Sequence, residues 1–241
     1  MIYFTALLLQ VAGAQPANGE ALLAAMHDRW HGKWSTTRTF VQRTVVPNRP
    51  DQTWYESEAA GFLRIDIAPV DSMNSWVARN DSIYIYTRGK VGRARPYANA
   101  LGLLLCDVYV QPAKTTAEKI RQAGFDLSIV RADSWEGHPA WVVGAAAGDT
   151  TSAQFWVDRK TLLLVRVLDP SNGKPFIDAR VTGRLKGKVP AETEMVFYRT
   201  GKEIQREYYN DVRLNVKFEP WLFEAGPWQR PGWIASAKHP D

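Results

Sequence analysis

Three runs in the second half of the chain decide the fold: FIDARVTGRL at 176–185, ETEMVFYR at 192–199 and IQREYYNDVRLNV at 204–216. Apolar residues recur at about every second position in these runs, and breaks that contain Gly, Pro or Lys separate them. This period is typical of strands with one buried face. Similar shorter runs precede them at 140–145, 153–157 and 162–168. Residues 135–223 therefore predict an antiparallel meander of six strands, whose apolar face must close on itself or curl around something apolar.

The residues before this meander predict a helix, five strands and two further helices. The first helix, at 18–34, begins at the capping residue Asn18 and has one apolar face. The strands are expected at 39–46, 53–58, 62–67, 76–78 and 82–87, and the later helices at 101–105 and 115–124. Aliphatic residues alternate in the third and fifth of these strands, so one face of the sheet is expected to be apolar. The helix at 101–105 should lie against that face, as a fixed plug or a movable lid.

The composition fits one soluble domain with an ordinary core. The chain has 241 residues, of which 45% are hydrophobic, and this length does not require a second domain. The formal net charge of +5 comes from 30 basic and 25 acidic residues spread along the chain, which predicts weak attraction to anionic surfaces and no binding of nucleic acid. The single cysteine, Cys106, excludes an internal disulfide framework. We expect a monomer.

The densest basic patch consists of Arg88, Lys90, Arg93 and Arg95. Charged loops of this kind are ordinary on protein surfaces. The same residues could also contact an anionic head group or an acidic partner at the mouth of a cavity. Both interpretations remain open from the sequence.

The amino terminus indicates export from the cytoplasm. Residues 2–11 form a short apolar run, and Ala12-Gly13-Ala14 follows as a small-x-small cleavage site, although no basic residue precedes the run. We therefore predict a signal peptide at 1–14, a single domain at 15–225 and a tail at 226–241, in the periplasm. No other segment reaches the roughly 18 apolar residues that a membrane span needs.

Motifs for catalysis or metal binding are missing from the sequence. There is no Gly-x-Ser-x-Gly motif, and the Gly-rich run at 183–188 is one residue too short for a phosphate loop. His27 and His31 are four residues apart but lack a third ligand. Glu58 and Asp66 could form a carboxylate pair, but we expect both to face outward. The sequence therefore predicts no enzyme activity, no catalytic residue, no metal site and no cofactor.

The order of helix, strands, apolar helices and strands resembles the LolA/LolB-like lipoprotein-localisation superfamily. The residues that carry the resemblance are Phe40-Val41-Gln42, NDSIYIY at 80–86, FWVD at 155–158 with the run at 162–167, YNDVRLN at 209–215, and Leu222-Phe223. Their order along residues 22–223 is more specific than any one of them. The resemblance implies an α+β, mainly β fold in which a strongly curved antiparallel sheet forms an incomplete barrel. An N-terminal helix and inserted helices are expected to cover its concave face.

The resemblance also implies a function and a set of partners. A protein of this kind would shelter the acyl chains of a lipoprotein or lipid in an apolar cavity and move them toward the outer membrane, between an inner-membrane donor and an outer-membrane acceptor. Alternation along the strands, together with the apolar residues of the helix at 101–105, predicts which residues line that cavity. They are Leu63, Ile65, Ile67, Trp76, Ile83, Ile85, Leu101, Leu104, Leu105, Val165, Ile177, Val181, Met195 and Val212.

One departure from the family pattern leaves alternatives open. In the family's carriers, the arginine of an Arg-Pro pair latches the helical lid by bonding helix carbonyls. Here that place reads Ala59-Ala60-Gly61, so the latch is expected to be absent or moved to Arg64. The protein could instead be an envelope sensor or interaction module of the same fold that binds a protein segment or regulates a membrane partner. A third possibility is that the helices fill the chamber completely.

Overall fold

The computed structural model describes residues 15–170, 173, 175–185 and 187–238, so the predicted signal peptide at 1–14 lies outside the described residues. Three α-helices are present in the described chain: α1 (Gly19–Trp30), α2 (Ala100–Leu105) and α3 (Ala113–Gln122). The first seven strands are β1 (Thr37–Val45), β2 (Gln52–Ala59), β3 (Phe62–Ile67), β4 (Ser75–Arg79), β5 (Ser82–Thr87), β6 (Lys90–Val91) and β7 (Arg95–Pro96). The later strands are β8 (Val130–Trp135), β9 (His138–Val143), β10 (Gln154–Asp158), β11 (Leu164–Asp169), β12 (Ile177–Leu185), β13 (Ala191–Arg199) and β14 (Lys202–Leu214).

The fourteen strands of the described chain form one antiparallel sheet that does not close. Its order is β6-β5-β4-β3-β2-β1-β14-β13-β12-β11-β10-β9-β8, and β7 pairs with β5 beside β6. Pairing of β1 with β14 joins the two strand blocks into one surface. The predicted α+β fold with an incomplete barrel is confirmed.

Short turns fix the local register of this sheet. In the β2–β3 hairpin Ala59 pairs with Phe62, and in the β4–β5 hairpin Arg79 pairs with Ser82, so each loop contains two residues. Both loops contain residues with positive φ, which two-residue hairpin turns require. The regular pairing through β2, β3, β4 and β5 therefore keeps alternate side chains on constant faces.

The structure adds strands that the alternation of the sequence does not predict. The strand β8 reads VRADSW and is mostly exposed, so it lacks an apolar row. The strands β6 and β7 have two residues each, too few to show a period. The helix α3 begins at Ala113 after Pro112, two residues before the predicted start at 115. Asn18 caps α1 as predicted, because its Oδ1 accepts a hydrogen bond from the backbone of Ala21 at 2.9 Å.

The three helices cover the face of the sheet that we call the inner face, over β9 to β13. Leu22, Leu23 and Met26 of α1 are fully buried in the main core. They share that core with Phe155 of β10 and Met195 of β13, which are also fully buried. Burial of a large aliphatic or aromatic side chain contributes about 1.5–3 kcal/mol, so this half of the sheet holds the helices firmly. The helices leave much of β3, β4 and β5 uncovered.

The C-terminal tail packs on the opposite face, which we call the outer face. Trp233 Nε1 donates to Ser57 Oγ at 2.9 Å, and Trp228 Nε1 donates to Ser75 Oγ at 3.1 Å. Arg64 is buried here and donates to the carbonyls of Leu222 and Gln229. The expectation that Arg64 replaces a lid latch is wrong, because its parity in β3 directs it to the face opposite the helices.

Gly144 is a position at which the backbone excludes any other residue. Its φ is +95°, and a Cβ atom added to it would lie 2.3 Å from the carbonyl oxygen of Ala153. Gly148 has a φ of +80° but no atom within 4 Å of that position. We expect Gly144→Ala to lower the free energy of unfolding by at least about 2 kcal/mol, and Gly148→Ala by about 1 kcal/mol. Urea unfolding of both variants measures the difference, and equal losses would contradict the clash.

Candidate functional site

A cavity of about 160 Å³ lies between α2 and the β3–β4 region of the inner face. Leu63, Ala78 and Leu103 contribute apolar surface to it. The β2–β3 turn and the segment that follows β7 form parts of its wall, which include Phe62, Gly61 and Tyr97. A cavity of this size is comparable to one that admits a benzene-sized ligand, so it can hold part of a long acyl chain.

Strand pairing places the predicted residues of the first block on one face. Ile65 pairs with Trp76, and Trp76 pairs with Ile85. Residues directly opposite each other in an antiparallel pair share a face. By the same pairing the row on the inner face contains Leu63, Ile65, Ile67, Trp76, Ile83 and Ile85. Ile65 is buried and the other five are half-buried, so the row is partly accessible to solvent in the described structure.

The predicted residues of the second block lie in other surroundings. Val181 and Met195 are opposite each other and belong to the core beneath the helices. Ile177 and Val212 are half-buried, Ile177 in β12 and Val212 at the irregular pairing of β14 with β1. Val165 packs with Trp135 and Trp156 on the outer face. An irregularity in β11, between the pairs of Trp156 and Val157, moves Val165 away from the inner row.

The helix α2 presents a different residue to the cavity than the three predicted ones. Leu104 and Leu105 are buried in the main core, and Leu101 packs partly buried against it. Leu103 and Gly102 line the cavity instead. Leu103 also belongs to the core, so it lies where the core meets the cavity, and six residues are too short a run to show this from periodicity.

The polar end of the cavity contains an ion-pair network. Arg38 pairs with Glu58, and Arg38 Nη1 lies 3.0 Å from Glu192 Oε2. Arg184 Nη2 lies 3.3 Å from the other oxygen of Glu192. The expectation that Glu58 faces outward is wrong, because Glu58 pairs with Leu63 and shares its face. Sequence reasoning could have found this position, since the two-residue turn at Ala60-Gly61 fixes that pair.

Two further side chains of the α2 region reach this polar end. Cys106 Sγ lies 3.6 Å from Glu58 Oε2, and burial raises the pKa of this thiol well above its ordinary value, so it stays protonated. Burial also raises the pKa of Asp107 to about 6, although a hydrogen bond from the backbone of Gly61 opposes the shift. Asp107 thus links the segment after α2 to the β2–β3 turn.

Glu207 provides a pH-dependent test of the polar part of the inner face. Burial raises its pKa from 4.5 to about 6, against hydrogen bonds from Tyr209, Gln205 and Gln42. The folded state therefore binds the proton more tightly, and stability falls as pH rises from about 4.5 to 6. We expect Glu207→Gln to raise the free energy of unfolding by about 1–2 kcal/mol at pH 7.5, since one pKa unit corresponds to about 1.4 kcal/mol.

Urea unfolding at pH 4.5 and 7.5 measures this effect. The difference between the two pH values should be smaller in the variant than in the wild type, because the glutamine amide does not titrate. A variant with the wild-type pH dependence would contradict a raised pKa at Glu207.

The four basic residues predicted as a contact lie together at the edge of the sheet. Arg88 follows β5, Lys90 is in β6, Arg93 lies between β6 and β7, and Arg95 is in β7. All four are exposed. They lie beside the inner row, because Arg95 pairs with Ile83. Whether they contact a ligand remains a prediction.

Metal-binding and membrane-spanning features were sought in the same part of the chain. Among residues 15–170, 173, 175–185 and 187–238, no group of three or more His, Cys, Asp or Glu side chains is arranged to hold a metal ion. No helix in these ranges combines the length and the apolar character that crossing a membrane requires.

Comparison with known proteins gives similarity of structure only. No family model matches the sequence, and no curated protein matches it. A LolA superfamily protein from Nitrosomonas europaea is 11% identical with a TM-score of 0.52, over 87% of this chain and 98% of that one. A DUF1329 family protein from Desulfovibrio piger ATCC 29098 is 14% identical with a TM-score of 0.55, over 88% and 98%.

A putative outer membrane lipoprotein-sorting protein domain from Vibrio parahaemolyticus is also similar. It is 11% identical with a TM-score of 0.55, over 86% of this chain and 96% of that one. The alignments include nearly the whole of each solved chain, so the similarity concerns a complete fold and not a shared fragment. The predicted resemblance is therefore confirmed at the level of structure, and the chain has the LolA-like fold.

Proposed function

We propose that this protein is a periplasmic carrier that shelters the acyl chains of a lipid or lipoprotein and moves them toward the outer membrane, without catalysing a reaction. The observation that carries the proposal is the cavity beside α2, which meets the half-buried apolar row of the inner face at Leu63. An acyl chain with its end in the cavity would continue along Ile83 and Ile85. Each buried methylene contributes about 0.8 kcal/mol, so a chain can be held without a specific polar motif.

The polar end of the cavity supports an amphiphilic cargo. Arg38 and Glu58 lie at one side of the same space that Leu103 and Ala78 line with apolar atoms. A ligand with a polar group and a long apolar chain satisfies both surfaces. A purely polar ligand would not cover the aliphatic row. A purely apolar ligand would exclude water from the charged side chains without offering them a polar group in its place.

Native mass spectrometry of protein purified from envelope extract tests this function. We expect a bound lipid or a lipidated peptide, which organic extraction should release. A stoichiometric protein partner together with an empty cavity would contradict the carrier and favour the sensor or interaction module. An apolar fluorescent probe, displaced by fatty acid, gives a second measurement on the purified chain. Failure of the probe to bind would favour helices that fill the chamber.

A further inference from the structure

The edge of the sheet at β5 combines a cationic strip with an apolar face. The strands β6 and β7 run along β5 as an interrupted outer strand, in which Thr87 pairs with Lys90 and Ile83 pairs with Arg95. Gly92 N donates to the carbonyl of Ile85 at 2.9 Å between the two short strands. Residues 87, 88 and 90–96 are all exposed. We call residues 88–96 the cationic edge.

No acidic side chain of this segment neutralises its charge. The sequence from 82 to 106 contains Arg88, Lys90, Arg93 and Arg95 and has no Asp or Glu. Asp81, which precedes β5, is engaged by Lys119. Within the described ranges, none of the four basic side chains forms an ion pair. Most other arginines of the chain are paired, so this cluster retains its charge for an external partner.

The cationic edge borders apolar surface on both faces. Lys90 and Arg95 share the inner face with Ile83 and Ile85, because opposite residues of an antiparallel pair lie on one face. Val91, beside them, is 43% exposed. Positive side chains next to accessible aliphatic ones complement a surface that presents negative head groups above acyl chains.

We propose that the cationic edge docks this protein on the surface of an anionic lipid bilayer. Docking there would turn the half-buried row of β3, β4 and β5 toward the lipid, so that an acyl chain could pass between the membrane and the inner face. A soluble acidic protein would satisfy the charges but would not require the adjoining aliphatic row. The docking requires no cargo, so it can be tested independently of the carrier function.

Co-sedimentation with vesicles tests the docking. Phosphatidylcholine vesicles with and without phosphatidylglycerol are mixed with the wild-type chain at low ionic strength. Each basic residue near an anionic surface changes the partition coefficient about fivefold, and salt screens the attraction. We expect binding only to the vesicles that contain phosphatidylglycerol, and at least tenfold weaker binding for the triple variant Lys90→Gln, Arg93→Gln, Arg95→Gln.

A matched variant controls for total charge. Arg49, Lys202 and Lys217 are exposed and lie outside the cationic edge, so their joint replacement by Gln removes the same charge elsewhere. We expect this control to bind like the wild type. Equal loss in both variants would show a general charge effect and would overturn the proposal. Failure of the wild type to bind anionic vesicles, as expected for an acidic protein partner, would overturn it as well.

The test of membrane docking can be distinguished from the test of the carrier function. A cavity-filling substitution such as Ala78→Trp removes none of the basic side chains, so the dependence of vesicle binding on phosphatidylglycerol and on salt should remain. The triple variant should lose vesicle binding but still release the apolar probe when fatty acid is added. This pair of results assigns the defect to docking. The side chains replaced in the triple variant and in its charge-matched control are all exposed, so thermal unfolding of both should be unchanged, which confirms that they are folded.

Discussion

Arg64→Met is expected to lower the free energy of unfolding by about 3–5 kcal/mol, the usual effect of removing one partner of a buried ion pair. Arg64 Nε lies 2.8 Å from Asp66 Oδ2, and the side chains of both residues are less than 5% exposed. Its Nη2 also donates to the Gln229 carbonyl at 2.7 Å, which joins β3 to the tail. The variant leaves the Asp66 carboxyl and two carbonyl groups without these partners.

Urea unfolding measures the loss, and limited digestion with chymotrypsin at Trp228 and Trp233, which bind the sheet, measures release of the tail. Arg43→Met is the matched control, because Arg43 and Asp51 form an exposed pair 3.0 Å apart, for which we expect about 1 kcal/mol or less. The double variant Arg64→Met, Asp66→Leu should recover much of the stability, since it removes the uncompensated carboxylate. A loss of less than 1 kcal/mol for Arg64→Met would show that the tail is held by its tryptophans alone.

Ala78→Trp is expected to weaken binding of a long-chain fatty acid about a hundredfold. Ala78 lines the cavity and lies opposite both Leu63 and Ile83, so an indole at this position would occupy the space beside α2. If about four methylene groups lose their place, the loss is about 3 kcal/mol, which corresponds to that factor. Displacement of an apolar fluorescent probe measures the affinity.

The same substitution at Ala147 controls for the added aromatic surface. Ala147 is exposed in the loop after β9 and lies outside the cavity, so Ala147→Trp should bind like the wild type. Leu63→Gln provides a second change at the cavity without added bulk, in case the indole disturbs folding. Unchanged affinity in folded Ala78→Trp and Leu63→Gln proteins would contradict the cavity as the binding site.

Local pattern predicted correctly that the aliphatic residues of β3 and β5 share one face of the sheet, but it placed Glu58 of β2 on the wrong face. The residues Leu63, Ile65 and Ile67 alternate with charged ones, and regular hairpins carry that parity to Trp76 and Ile85. Those features depend on neighbours in the chain, because a turn of two residues and a period of two are set locally. Whether these residues bind a ligand remains a prediction, although their common face is established.

Packing between segments that are distant in the chain decided side-chain positions that the sequence pattern could not predict. Val165 leaves its row because β11 is irregular where it pairs with β10. Leu103 contacts both the core and the cavity, whereas Leu104 lies in the core alone. Neither side-chain position follows from the local alternation of apolar residues. Each depends on elements that the chain brings together only after folding.

The sequence by itself determined the order of the elements, the inner-face row of the first strand block and the cationic edge. Only the tertiary structure decided that Arg64 holds the tail and that Glu58 joins Arg38 and Glu192 beside the cavity. The physical reason is that parity along a strand follows from backbone geometry, whereas the partner of a buried charge is selected by segments more than a hundred residues away, such as the tail and β13.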